Sequence, residues 1–142
     1  VHALDAVDAA PASGTAGFRA TIVCPCSMGT LARIAHGFSS NLIERAADVA
    51  LKEGRSLVVV PRETPLSVVH LQNMLELARL GAIVLPAMPG FYHRPTRVQD
   101  LVDFVVGKVL DRLGVAHALV RRWQGPSGQA GAGSVWNEGE EP

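Results

Sequence analysis

Short apolar runs alternate along this chain with longer stretches in which apolar residues recur every three or four positions. Ala20-Thr21-Ile22-Val23-Cys24 and Ser56-Leu57-Val58-Val59-Val60 are runs of the kind that buried parallel strands use, and Ala82 to Leu85 is a third. The intervening spacing predicts helices. Ser27 is placed to cap one through about His36 that ends at Gly37. Ser40 or Asn41 caps the next, which runs to Glu53 on a face of Leu42, Ile43, Ala46, Ala47, Val49 and Ala50. Thr64 is expected to cap a third helix with Pro65 at its first position, where a missing N–H costs nothing. Leu66, Val69, Met74, Leu77 and Ala78 form its expected buried side. A fourth runs from about Val98 to Leu113 on Val98, Leu101, Val102, Val105, Val109 and Leu110. Residues 1 to 18 show no convincing periodicity beyond a short helix near Ala3 to Ala9.

Strands alternating with helices predict an α/β fold with a parallel sheet covered on both faces. Three strands leave both sheet edges open, and the helices carry more apolar surface than such a sheet covers. Self-association is therefore expected. At 142 residues the chain is one domain, with Lys+Arg and Asp+Glu equal at 13 each, so no positive excess suggests nucleic acid or a membrane surface. No apolar run approaches the roughly 18 residues of a membrane span, and His2, Asp5 and Asp8 interrupt any signal-peptide pattern. Cys24 and Cys26 are too poorly placed to bridge or to chelate one metal, so buried reduced thiols and a cytoplasmic protein are expected. His36, His70 and His93 lack metal-ligand spacing, so no metal is expected either. Residues 126–142, low in complexity and then acidic, read as a disordered tail after an ordered unit over 1–125. Trp123 is expected to pack against the body and Trp136 is not.

Two strand-to-helix junctions carry the chemistry. Cys26-Ser27-Met28-Gly29-Thr30-Leu31 puts hydroxyls and backbone N–H groups at a helix start, where an anion or the edge of a cofactor can sit. Arg62-Glu63-Thr64-Pro65-Leu66 puts a fixed cation beside a carboxylate. In open α/β sheets ligands bind at the carboxyl ends of the strands, and both junctions lie there. Pro86, Pro89, Gly90 and Pro95 stiffen the loop after the third strand, which carries Phe91, Tyr92, His93 and Arg94. Each polar residue also has a plain reading: Arg62 with Glu63 as a surface ion pair, Lys52 as a helix-dipole partner, Tyr92 as a packed aromatic, and Lys108 as a snorkelling cation.

The order of these motifs resembles the flavin prenyltransferase family, the UbiX-like proteins. The resemblance rests on Pro25-Cys26-Ser27-Met28-Gly29-Thr30-Leu31, on Asn41 to Val49, and on Leu51-Lys52-Glu53. It continues through Pro61-Arg62-Glu63-Thr64-Pro65-Leu66 and Pro89-Gly90-Phe91-Tyr92-His93-Arg94-Pro95, covering roughly residues 10 to 125. It implies a flavodoxin- or Rossmann-like three-layer sandwich and a homo-oligomer, a dodecamer in the family. The implied activity joins the dimethylallyl group of dimethylallyl phosphate to reduced FMN, giving prenylated FMN for UbiD-type decarboxylases, including those of ubiquinone biosynthesis. By position, Ser27, Met28, Gly29, Thr30 and Arg62 would contact FMN. Lys52, Arg62, Glu63, Tyr92 and Lys108 would surround the prenyl phosphate, with Glu63 as the proton relay. Lys108 stands where the family often has Arg, which keeps the charge and loses the bidentate fork. The family's opening strand, Gly-Ala-Ser-Gly phosphate turn and first helix have no counterpart before Ala20. The N-terminal strands are therefore expected to be missing from the sheet, and FMN binding to be weak. A phosphopantothenoylcysteine-decarboxylase-like flavoprotein and an inactive truncated subunit are the alternative expectations.

Overall fold

The computed structural model describes residues 1–120. Three strands, β1 (Ala20–Cys26), β2 (Ser56–Pro61) and β3 (Ile83–Val84), form one parallel sheet in the order β1-β2-β3. Helices α1 (Met28–Ala35) and α2 (Leu42–Lys52) connect β1 to β2, α3 (Val68–Arg79) connects β2 to β3, and α4 (Val98–Arg112) follows. The pairing of β3 with β2 extends beyond its two residues, since Leu85 N–H donates to the Val59 carbonyl and Ala87 N–H to that of Pro61, both at 2.9 Å.

β2 explains the layering. Successive strand side chains point to opposite faces, and here both faces are buried. Leu57 and Val59 join Val23, Leu31, Ile34, Ala47, Ala50 and Leu77 in the larger core, beneath α1, α2 and α3. Val58 and Val60 join Val109 in the smaller one, with Ile83, Leu85, Val105 and Leu113 packed around it under α4. Two right-handed crossovers stepping in one direction across a sheet put their helices on one face, which leaves α4 for the other. The fold is thus a flavodoxin-like α/β sandwich.

Several expectations are corrected. No helix forms near residues 3 to 9; that region has turns, followed by short 3-10 segments at Ala10–Ala12 and Gly14–Ala16. Ser67 caps α3 in place of Thr64, because Ser67 and His70 bond each other's backbone reciprocally, both at 3.2 Å. On α3, Val69 is 61% exposed and Ala78 is exposed, while Asn73 and Leu77 are buried. The inward stripe is His70, Asn73, Met74 and Leu77, so its two polar members hid it from a reading of apolar residues. On α4, Val98 and Val102 are exposed, and Leu101, Val105 and Val109 hold the core side. The exposed apolar residues, including Val68, Val69, Leu71 and Leu75 on α3, leave the surplus apolar surface that the composition of the helices foreshadowed. The tail expected over 126–142 and both tryptophans lie outside the described residues. Among the described residues no helix is long and apolar enough to cross a membrane, and no cluster of His, Cys, Asp or Glu is set to hold a metal ion.

Both cysteines are free, but only Cys26 is buried; Cys24 is exposed. Residues two apart normally share a strand face. Here the β1–β2 register shifts between Val23 and Cys26 and separates the two side chains. Burial pushes the Cys26 thiol up to about 11. Native protein treated with a thiol reagent at pH 8 is therefore expected to label at Cys24 alone, with Cys26 reacting only after unfolding. Peptide mapping by mass spectrometry reads this directly, and rapid native labelling of Cys26 would contradict the placement.

Candidate active site

The carboxyl ends of the three parallel strands deliver the two junctions and the aromatic loop to one edge of the sheet, with the Arg62 junction between the others. At the end of β1, Ser27 caps α1: its Oγ accepts from Thr30 N–H at 3.2 Å and donates to Thr30 Oγ1 at 3.0 Å. The first N–H groups of a helix have no intrahelical acceptor, so Met28 and Gly29 present backbone donors there. The Met28 side chain is buried in the core, which leaves its backbone as the part open to a ligand. At Gly29 an added Cβ would meet only Arg33 Nη1, at 3.7 Å. This turn of backbone donors with little side-chain cover suits the hydrogen-bonding edge of a planar ring such as the isoalloxazine of FMN.

At the end of β2, Pro61 is buried, Arg62 exposed and Glu63 half-buried. Glu63 Oε1 accepts from Thr64 N–H at 3.1 Å, and among the described residues no ion pair joins Arg62 to Glu63. The guanidinium is left facing solvent at the strand end.

Beyond β3, Gly90 lets the loop fold on itself. A Cβ there would lie 2.6 Å from Tyr92 Cε1 and 3.3 Å from Phe104 Cζ, so no larger residue fits without moving a ring. Phe104 of α4 gathers the aromatic side chains: His93 stacks on it at 5.4 Å and 3°, and Tyr92 meets it edge-on at 6.0 Å and 80°. One turn further along α4, Lys108 Nζ sits 5.5 Å from the centre of the same ring, a cation–π contact. Lys108 also lines an open cleft with Ile83, Val84, Leu85, Asp111 and Arg112. Phe104 was missed in the sequence, although its spacing of four from Lys108 on one helix was the available signal.

Lys52 is not brought to this edge. It ends α2 four residues before β2 begins, pairs with Glu53 at 3.8 Å, and so lies at the amino end of the sheet. Arg62 follows the far end of the six-residue β2, a span of about 20 Å at strand rise.

The loop is tied to α4 by Asp100. Its Oδ2 accepts from the N–H groups of Thr96 and Arg97, each at 3.0 Å, and its Oδ1 from Arg97 Nη2 at 2.9 Å. The Thr96 N–H, then the Arg97 guanidinium and N–H, hold the Asp100 carboxyl down at about 2.

The chain matches the Flavoprotein family over residues 4–110, and it belongs to that family. Within it, the chain is similar to flavin prenyltransferases named UbiX. That of Halalkalibacterium halodurans is 59% identical over 122 residues, 86% of this chain and 59% of the relative. A dodecameric FMN-dependent UbiX-like decarboxylase from Escherichia coli superposes with a TM-score of 0.84 at 52% identity, covering 87% of this chain and 67% of the other. A UbiX protein solved with FMN and dimethylallyl pyrophosphate superposes at 0.85 with 47% identity, covering 88% and 66%. The chain spans little more than half the length of the curated relatives it matches.

The Asp100 clamp has a measurable signature. A depressed carboxyl pKa contributes stability above the ordinary value of 3.8 and loses it as pH falls through about 2. Carboxyl-carbon NMR of the labelled protein is expected to show Asp100 titrating near 2 and the amide of Thr96 shifting with it. A midpoint at 3.8 would mean that the loop is not hooked to α4.

Proposed function

We propose that this chain forms the prenyl-phosphate side of a flavin prenyltransferase, which transfers dimethylallyl from dimethylallyl phosphate to reduced FMN. The observation that carries the reading is the convergence of the Ser27 turn, the Arg62–Glu63 junction and the Tyr92 loop on one sheet edge. In this reading Ser27, Met28, Gly29 and Thr30 contact FMN, chiefly through backbone N–H groups, and Arg62 reaches both flavin and phosphate. Reduced FMN, when bound, supplies the nucleophilic ring atom that accepts the prenyl group. The residues of the chain manage the other product. A departing phosphate carries close to two negative charges and needs cations and a proton source. Arg62 and Lys108 supply charge, Tyr92 a neutral donor, and Glu63 the proton.

Lys52 belongs to the same cation set, yet it lies at the opposite end of its own sheet. It therefore serves the phosphate of a neighbouring copy, and the site is completed by assembly. The exposed apolar faces of α3 and α4 support a homo-oligomer, as does the dodecamer named for the similar Escherichia coli protein. The product is destined for a UbiD-type decarboxylase, and the reduced thiols favour the cytoplasm. Two similar solved structures carry the name decarboxylase, but loss of carbon dioxide gives a cation cluster no phosphate to hold, which favours prenyl transfer.

Single-turnover formation of prenylated FMN tests the assignment. Glu63→Gln is expected to leave FMN bound and to slow transfer by at least about 10²-fold, the usual contribution of a positioned acid or base. Arg62→Ala is expected to weaken flavin and prenyl-phosphate binding together. Wild-type turnover by Glu63→Gln would reduce that carboxylate to a bystander.

Mixing tests the shared site. Lys52→Ala and Glu63→Gln subunits, each slow alone, are expected to regain activity when unfolded and co-assembled, because some sites then draw an intact Lys52 and an intact Glu63 from different copies. No recovery in verified mixed oligomers would mean that Lys52 acts within its own chain or not at all.

A further inference from the structure

Glu44 has no part in the chemistry above, yet it is fully buried at the first turn of α2. Burying a carboxylate is costly unless donors surround it. Here they do: Arg33 Nε donates to Oε1 at 2.5 Å, Asn41 Nδ2 to the same oxygen at 2.8 Å, and Ser40 N–H to Oε2 at 2.9 Å. Burial alone pushes the Glu44 carboxyl up, but the bonds from Arg33, Ser40 and Asn41 and the charge of Arg33 outweigh it and leave it below the ordinary range. Glu44 is an anion inside the protein.

Capping α2 does not require Arg33. Asn41 already accepts the Glu44 N–H at 3.0 Å, and an N-cap of this kind works without a cation. What the ion pair achieves is orientation. Arg33 leans back toward the start of α1, as helical side chains do, and Glu44 takes its Nε. Its Nη1 then lies 3.7 Å from where a Cβ on Gly29 would stand. The side chain is 47% exposed, so its remaining N–H groups stay open to a ligand along the Ser27–Thr30 turn.

We infer that Arg33, held in place by Glu44, is a binding residue that sets a permanent positive charge against the reduced flavin. The inference rests on reading the Ser27–Thr30 turn as the flavin contact. Reduced flavin readily gives up a ring proton and becomes an anion, whereas the oxidised ring is neutral. A guanidinium beside the ring therefore binds the reduced form more tightly and raises the reduction potential of bound FMN. It also favours the electron-rich form that attacks the prenyl carbon. Glu44 acts through Arg33 as a positioning residue.

The test measures the dissociation constant of oxidised FMN and the midpoint potential of bound FMN in the full chain. Arg33→Gln strands a buried anion and risks the fold, so the decisive protein is the double variant Arg33→Gln/Glu44→Gln, which removes both charges together. Arg79→Gln, whose exposed arginine pairs only loosely with Glu76 at 3.7 Å on α3, is the control. The double variant is expected to lose about tenfold of the preference for reduced over oxidised FMN, the scale of one hydrogen bond to a charged group. For a two-electron couple that is about 30 mV more negative. Oxidised FMN should bind nearly as before, and Arg79→Gln should match the wild type. An unchanged potential in a double variant that melts cooperatively would overturn the role of Arg33. If the unaltered chain binds no FMN in either state, the flavin reading of the turn falls first and this inference with it.

Discussion

Burial of β2 on both faces is the constraint from which the rest of the molecule follows. Leu57, Val58, Val59 and Val60 are each no more than 1% exposed, so this one strand belongs to two cores. α1, α2 and α3 pack against its odd-numbered residues and α4 against the even-numbered ones. The strand also ends in the Pro61-Arg62-Glu63 junction. A strand locked from both sides gives its terminus little freedom, and the roles proposed for Arg62 and Glu63 need that rigidity. The neighbouring strands are less constrained: β1 changes register before Cys26, and β3 is two residues long.

The proposed site divides into a part that one chain builds and a part that it does not. The backbone donors after β1, the guanidinium after β2 and the aromatic group beyond β3 share an edge because parallel strands share a direction. Phe104 adds to this by standing under Tyr92 and His93 while its ring faces the Lys108 ammonium. Lys52 lies at the other end because it closes the helix that precedes β2. Helix ends and strand ends fall on opposite sides of a doubly wound sheet, so no rearrangement short of refolding unites them in one subunit.

Much of this was legible in the sequence. The β-branched run at 56–60 indicated a buried strand, and the hydrogen bonds bear out Ser27 as one helix cap and, of the two candidates Ser40 and Asn41, select Asn41 as the next. The junctions could be placed on one edge without coordinates because each follows its strand. What escaped had physical causes. Thr64-Pro65 satisfies the rules for a helix start, but Ser67 and His70 offer two reciprocal bonds three residues later. The inward side of α3 includes His70 and Asn73, which no hydropathy pattern selects. The ion pair of Arg33 with Glu44 spans eleven residues and two helices, and neither residue stands out alone. Burial of Glu44 is a property of the packed chain: the face expected for α2 included Ile43, which is 43% exposed, and passed over Glu44 beside it, which is buried.

Tyr92 is the only tyrosine in the chain. It stands at the candidate site, with its ring packed against Phe104 and His93 and held close by the bare backbone of Gly90. Spectroscopically, the protein has in effect labelled its own candidate site. Any phenol resonance or phenol ionisation in the protein comes from this one place. Occupancy and loop order can both be followed through a chromophore that the fold already provides.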